Sequence, residues 1–233
     1  LLPNENTIYL ADSINSPYGR KSNEELIKIC KKNVEFLINS GCKLIVIACN
    51  TATTNSISYL RQNYKIPLIG IEPAIKPAAL NTKTGKIGVL ATKGTLGSNL
   101  FEKTSTLHGQ NIEIIEKQVN GLVELIEKGI FSGSKIDILL EKYITPMINI
   151  GIDKLVLGCT HYPLVINSIE KITKKTIEVL ECSHSVALQT KKILCSLNLE
   201  NTEKTEIKNI FYTNGNDNIL KAMLDKKFEI FKI

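Results

Sequence analysis

Two apolar rhythms alternate along the chain. Short unbroken runs at 8–11, 44–47, 67–70, 87–91, 112–115, 154–158, 177–180 and 207–212 have the length and flanking turn residues of strands. The run at 207–212 is expected at a sheet edge. Between the runs, apolar residues recur at helical spacing. The clearest case is 22–40: Ser22 and Glu25 form a capping box, Leu26, Cys30, Val34, Leu37 and Ile38 share one face, and Gly41 ends it. Further helices are expected over 51–62, 73–80, 119–128, 135–149, 183–197 and 217–226. Two more run from the loop at 92–95 to about His108-Gly109 and from Pro163 onward.

Strand–helix alternation of this kind predicts an α/β fold with doubly wound parallel sheets. A polar turn at 81–85 interrupts it, after which the pattern restarts. Two lobes are therefore expected. Residues 1–80 plus 181–233 make the first, which carries Cys49, and 81–180 the second, which carries Cys159.

The chemistry concentrates where two strands end. KLVLGCTHYP at 154–163 runs from an apolar strand into Gly158, Cys159, Thr160 and His161, and KLIVIACNT at 43–51 runs into Ala48, Cys49, Asn50 and Thr51. Open α/β sheets bind ligands beyond the carboxyl ends of their strands, so two such ends, about 110 residues apart, read as two half-sites of one cleft. A thiol just before a helix is expected to have its pKa lowered by the helix N-terminus. A single such thiol suits nucleophilic catalysis. Two facing each other suit racemisation, one taking a proton from a carbon acid while the other returns one to the opposite face. Asn50, Thr51 and Thr160 would hold the substrate's polar groups, and His161 would tune Cys159. Taken singly, each cysteine is more simply a small buried hydrophobe and each polar neighbour a helix cap; the recurrence favours function. Cys30, Cys42, Cys182 and Cys195 are read as structural, and His108 and His184 as surface or cap residues.

Composition narrows the class. Among 233 residues, 43% are hydrophobic and 22% charged, as in ordinary globular proteins. No apolar run approaches the ~20 residues that span a bilayer, and no basic-then-apolar leader opens the sequence. The net charge of +6 comes from dispersed lysines and predicts a solvated surface, with no nucleic-acid partner. Six cysteines without a C-x-x-C pair argue against structural zinc and for reduced thiols in the cytoplasm. The first residue is Leu1 and the only methionines are Met147 and Met223, so a fragment or processed product is expected.

ACNTA at 48–52 and GCTHYP at 158–163 resemble the paired signatures of bacterial glutamate racemases. SPYGRKS at 16–22 is similar to that family's VPYGxKS loop, IGVLATKGT at 87–95 to its IGVxxTxxT segment, and LIEKG at 125–129 to its LVEEG. The resemblance covers essentially the whole chain. It implies two lobes related by pseudo-twofold symmetry and a cleft site that interconverts L- and D-glutamate for peptidoglycan, without pyridoxal phosphate or metal. It makes Cys49 and Cys159 the two bases, Cys49 serving D-glutamate and Cys159 L-glutamate, with His161 beside them. Tyr18, Gly19, Asn50, Thr51, Thr160, His161 and Thr92 would contact substrate, with Glu127 nearby. The implied partner is the small molecule glutamate, with a homodimer left open. Aspartate racemases resemble this chain too, but tend to carry Glu where His161 stands. Two alternatives stay open: a racemase of aspartate or another amino acid, and a non-catalytic member that binds a ligand or partner. Two departures stand out. The family's opening strand, ending in Asp-Ser-Gly-x-Gly-Gly, has no counterpart here, which predicts an exposed sheet edge in the first lobe and leaves the activity of the chain as given open. Val119-Asn120 stands near the family's Cys-Pro.

Overall fold

The structure, a computed structural model, describes residues 1–109, 112–202, 206–224 and 228–233. Its three sheets are all parallel. The largest has four strands in the order β5 (Glu113–Gln118), β4 (Lys86–Ala91), β6 (Lys154–Gly158) and β7 (Glu178–Leu180). Its central pair reads as apolar runs because both faces are covered: five of the six residues of β4 and all of β6 are buried. The register sets Ala91 opposite Gly158, so Thr92 and Cys159 leave the sheet side by side. A Cβ on Gly158 would lie 2.8 Å from Ala91 Cβ and 3.1 Å from Leu90 O, so no larger residue fits there without displacing β4.

The other strands form two smaller sheets, β1 (Thr7–Ala11) with β8 (Asn209–Thr213) and β9 (Ile230–Lys232), and β2 (Ile45–Ile47) with β3 (Leu68–Gly70). The edge expected for 207–212 is thus wrong. β8 is the central strand, because Phe211, Tyr212 and Thr213 pair with β1 on one side and β9 on the other. β9 is three residues long, too short for its alternation to register as a strand.

The helices follow their sequence signals with local corrections. α1 (Asn23–Asn39) carries the full capping box: Ser22 Oγ accepts from Glu25 N at 3.3 Å and Glu25 Oε2 accepts from Ser22 N at 2.8 Å. It buries Leu26, Cys30 and Val34, the last two in one core with α2 (Asn50–Asn63) and β2. α3 (Ile75–Asn81) precedes β4. The 92–95 loop is the start of a short helix, α4 (Lys93–Leu96), because Thr92 caps it; a break at Gly97-Ser98 separates it from α5 (Asn99–His108). Gly121, at φ 88°, delays α6 (Leu122–Ile126) beyond the expected start at 119. α7 (Ser134–Ile150) and α8 (Ile166–Thr173) cover one face of the large sheet, their core built from Ile126, Leu140, Ile144, Met147, Leu155 and Ile169. Each such side chain contributes about 1.5–3 kcal/mol on full burial. A 3-10 turn at Tyr162–Val165 separates Pro163 from α8. α9 (Ser183–Ser196) and α10 (Asn218–Met223) complete the chain; the expected end of the last helix, at Lys226, lies outside the described residues.

Candidate active site

Beyond the strand ends lies a cleft of about 920 Å³. Every residue of β1 and of β2 lines it, as do Cys30, Val34 and Leu37 of α1 and Val186, Ala187 and Thr190 of α9. Two separate sheets therefore flank one cavity, which is where the exposed edge expected in the first lobe is found. Tyr18, Gly19, Thr51, Thr92, Cys159, Thr160 and His161 stand on the same wall. Cys49 and Asn50 do not, although Ala48, Thr51 and Ala52 around them do. Asn50 is buried, with Nδ2 3.5 Å from Ile71 O and Oδ1 without a partner.

Cys49 caps α2 and its Sγ accepts from Ala52 N at 3.5 Å. Thr51, on the first turn, meets Thr92 Oγ1 at 2.7 Å and Thr95 Oγ1 at 3.1 Å, so three hydroxyls close a small ring beside the thiol. Gly19 matters for the same contact: a Cβ there would sit 2.7 Å from Thr92 Cβ.

The second thiol has different company. Cys159 is buried, and its Sγ lies 3.9 Å from His161 Nδ1. His161 Nε2 meets Glu127 Oε1 at 2.7 Å, and Ser16 Oγ donates to that same oxygen at 3.0 Å. A carboxylate only accepts, so Nε2 carries a proton toward Glu127, and Nδ1 is the ring nitrogen that faces the thiol. The hydrogen bond from His161 holds the Glu127 carboxyl below the usual carboxylate range, and Ser16 adds to it.

The expected lowering of both thiol pKa values is corrected by the structure. Burial pushes Cys159 up to about 12, against the backbone N–H groups of His161 and Tyr162. Burial also raises Cys49, against Ala52 N–H and the N–H and hydroxyl of Thr51. One helix turn of donors does not offset the loss of water around a thiolate here. Negative charge on Cys49 raises Cys159 further, so the two sulfurs share one electrostatic environment.

Sequence reasoning passed over Asp12, which sits where β1 ends. Burial disfavours its ionised form, yet hydrogen bonds from Tyr18, Asn214, Asn15 and Asn33 outweigh that and keep its carboxyl below the usual range. Its signal was available: a carboxylate directly after an apolar strand, in the place where Cys49 and Cys159 follow theirs. Ser16, Gln118 and Asn120 also line the cleft, and none of the three was singled out as a site residue, although Ser16 opens the SPYGRKS segment. Of the cysteines read as structural, Cys30 and Cys182 are buried but Cys195 is exposed and packs in no core. Among the described residues, no group of three metal-ligating side chains is arranged to hold an ion, and no helix is long and apolar enough to cross a membrane.

Parallel sheets whose strand ends converge on a cleft, with one thiol on a helix cap and another backed by a histidine–carboxylate pair, define an α/β enzyme equipped for proton transfer. The profile of the Asp/Glu/Hydantoin racemase family matches residues 5–187, and the chain belongs to that family of isomerases. A glutamate racemase from Herpetosiphon aurantiacus is 37% identical over 206 residues, 88% of this chain and 81% of that protein. Among solved structures, Escherichia coli glutamate racemase in complex with L-glutamate and an activator superposes with a TM-score of 0.87 at 26% identity, covering 99% of this chain and 88% of that one. The Francisella tularensis glutamate racemase in complex with D-glutamate gives 0.83 at 28% identity, covering 98% and 88%.

Proposed function

We infer that this chain interconverts L- and D-glutamate, with Cys49 and Cys159 as the two acid–base groups. The observation that carries this reading is a pair of differently supported thiols, Cys159 lining the cleft and Cys49 between the cleft residues Ala48 and Thr51. The choice of glutamate is supported by the names of the relatives and by the L- and D-glutamate complexes of two of them.

Starting from L-glutamate, the Cys159 thiolate takes the α-proton. The C–H bond breaks, an S–H bond forms, and the electron pair delocalises into the α-carboxylate. The Cys49 thiol then delivers its proton to the opposite face of Cα, leaving a Cys49 thiolate and D-glutamate. The reverse reaction exchanges the roles. Both thiols are protonated at rest, because burial raises both. Cys159 has a base within reach, His161 Nδ1, that receives its proton while Glu127 stabilises the resulting imidazolium. Cys49 relies on backbone and hydroxyl donors to its thiolate, and after turnover the imidazolium proton returns to that thiolate through solvent, which restores both thiols. Tyr18, Gly19, Thr51, Thr92, Thr160 and His161, which line the cleft, hold the substrate.

In this reading the first lobe is 1–80 with 181–233 and the second is 81–180, and the enzyme supplies D-glutamate for peptidoglycan in the cytoplasm. The test is circular-dichroism polarimetry with D-glutamate, and with D-aspartate as control, on the protein and on Cys49→Ser and Cys159→Ser. Racemisation of glutamate that disappears in both variants supports the reading. Preference for aspartate, or activity that survives either substitution, overturns it.

A further inference from the structure

One contact at the cleft joins parts of the chain far apart in sequence and is absorbed by neither thiol. Ser16 belongs to the loop after β1, and Glu127 follows α6, 111 positions later. Ser16 Oγ donates to Glu127 Oε1 at 3.0 Å, the oxygen that also meets His161 Nε2 at 2.7 Å. Four residues further along the same loop, Arg20 pairs with Glu124, three residues before Glu127. The loop thus reaches one stretch of chain through two ties. The VPYGxKS loop that this segment resembles has valine, which donates nothing, where this chain has Ser16.

We propose that Ser16 is a positioning residue for the Cys159 half of the reaction: its hydroxyl fixes the Glu127 carboxylate so that His161 keeps Nε2–H toward Glu127 and Nδ1 toward Cys159. The inference depends on the reading of Cys159 as a base. The physical argument is one of freedom. The Glu127 side chain is 28% exposed and has three rotatable bonds, so a single hydrogen bond to an equally exposed imidazole leaves it other rotamers. A second donor, on a loop tied down at Arg20, selects one of them. The other ionisable neighbours do not do this: Tyr9, Cys49 and Cys159 interact with Glu127 or with one another through charge, and Glu124 is engaged by Arg20. A fixed carboxylate fixes the imidazole tautomer, and only one tautomer offers Cys159 an acceptor.

Enantiomers have equal free energy, so kcat/KM must fall equally in both directions in any variant. A one-sided role shows instead in which proton transfer limits the rate. The test compares Ser16→Val, Ser16→Ala and Ser16→Thr with the parent protein. The first readout is nitrogen–proton NMR of the His161 ring, with His108 and His184 as internal references. The second is the primary deuterium isotope effect with α-deuterated L- and D-glutamate. Expected are a single Nε2–H tautomer in the parent, a tautomer mixture in Ser16→Val and Ser16→Ala, and restoration in Ser16→Thr. kcat/KM should fall about threefold to tenfold in both directions, the scale of one typical net hydrogen bond. The isotope effect should rise for the L-enantiomer, which Cys159 deprotonates, and not for the D-enantiomer. An unchanged tautomer in Ser16→Val, or isotope effects that move together for both enantiomers, overturns the proposal and leaves Ser16 as a structural tie. The ring measurement needs no turnover. It therefore decides the role of Ser16 even if Cys159→Ser keeps its activity and the two-thiol reading falls.

Discussion

The two thiols make an instructive contrast, since they sit at like positions in the fold and are served by unlike groups. Around Cys49 the donors are a backbone N–H and the hydroxyl ring of Thr51, Thr92 and Thr95. Around Cys159 a chain of ionisable groups leads from the sulfur through His161 and Glu127 to Ser16. Hydroxyls and amides stabilise a thiolate but cannot remove its proton, whereas an imidazole can do both. Equivalent strand ends therefore do not imply equivalent chemistry. In the proposed reaction the Cys159 half carries its own base, and the Cys49 half has a proton to give.

Four experiments sharpen or break that contrast. The largest effect is expected from replacing either sulfur: Cys49→Ser and Cys159→Ser should each lower kcat for racemisation by about 10²–10⁴, the range of a general acid–base group. Unequal losses here would already show that one thiol does the larger share. His161→Asn and Glu127→Gln come next, with kcat/KM falling by about 10–100-fold. In both, the isotope effect should rise on the L-side only; a rise on both sides would mean that the pair serves the whole cleft and not Cys159 alone.

Thr51→Val removes the hydroxyl shared with Thr92 and Thr95 while keeping the shape. Its cost should be about 1–2 kcal/mol in urea unfolding, with no rise in the L-side isotope effect. The smallest effect is on alkaline stability. Cys159 binds its proton more tightly folded than unfolded, its pKa rising from 9.0 to about 12 on burial. The stability tied to that proton is complete below pH 9 and is lost as pH climbs from 9 toward 12, by up to about 1.4 kcal/mol per unit. Cys30 and Cys182, raised by burial to about 11, act in the same direction. Cys159→Ser should therefore flatten, without abolishing, the fall in thermal midpoint between pH 9 and 11. An unchanged slope would mean that Cys159 binds its proton no more tightly in the folded protein than in the unfolded chain.

Much of the fold was legible because its signals are local. The Ser22–Glu25 box fixes where α1 starts, and the apolar runs of β4 and β6 declare strands buried on both faces. What was not legible depends on partners distant in sequence. The central place of β8 is decided by a three-residue strand near the chain's end, and the short α4 by the hydroxyl of Thr92. At the site, GCTHYP and ACNTA announced their cysteines, whereas Asp12 and Ser16 gained meaning only when Asn214 and Glu127 were brought to them. The expected drop in thiol pKa failed for a related reason: it weighed the helix end, which is visible in the sequence, and not the desolvation, which is made by everything packed around it.

The pairing of β1 with β8 has a consequence for how the molecule is made. Thr7 to Ala11 take their partners from Asn209 to Thr213, and Glu5 and Asn6 bind Asn201 and Lys208. The four strands of the large sheet, by contrast, all lie between Lys86 and Leu180. Contacts of such long sequence separation form late, because the loop they close must first be paid for in chain entropy. During synthesis the sheet that carries Cys159 can be complete while β1 still waits for residue 213 to leave the ribosome. The loop bearing Asp12 and Ser16 is then set late, because β1 pairs with β8 and Asp12 accepts a hydrogen bond from Asn214.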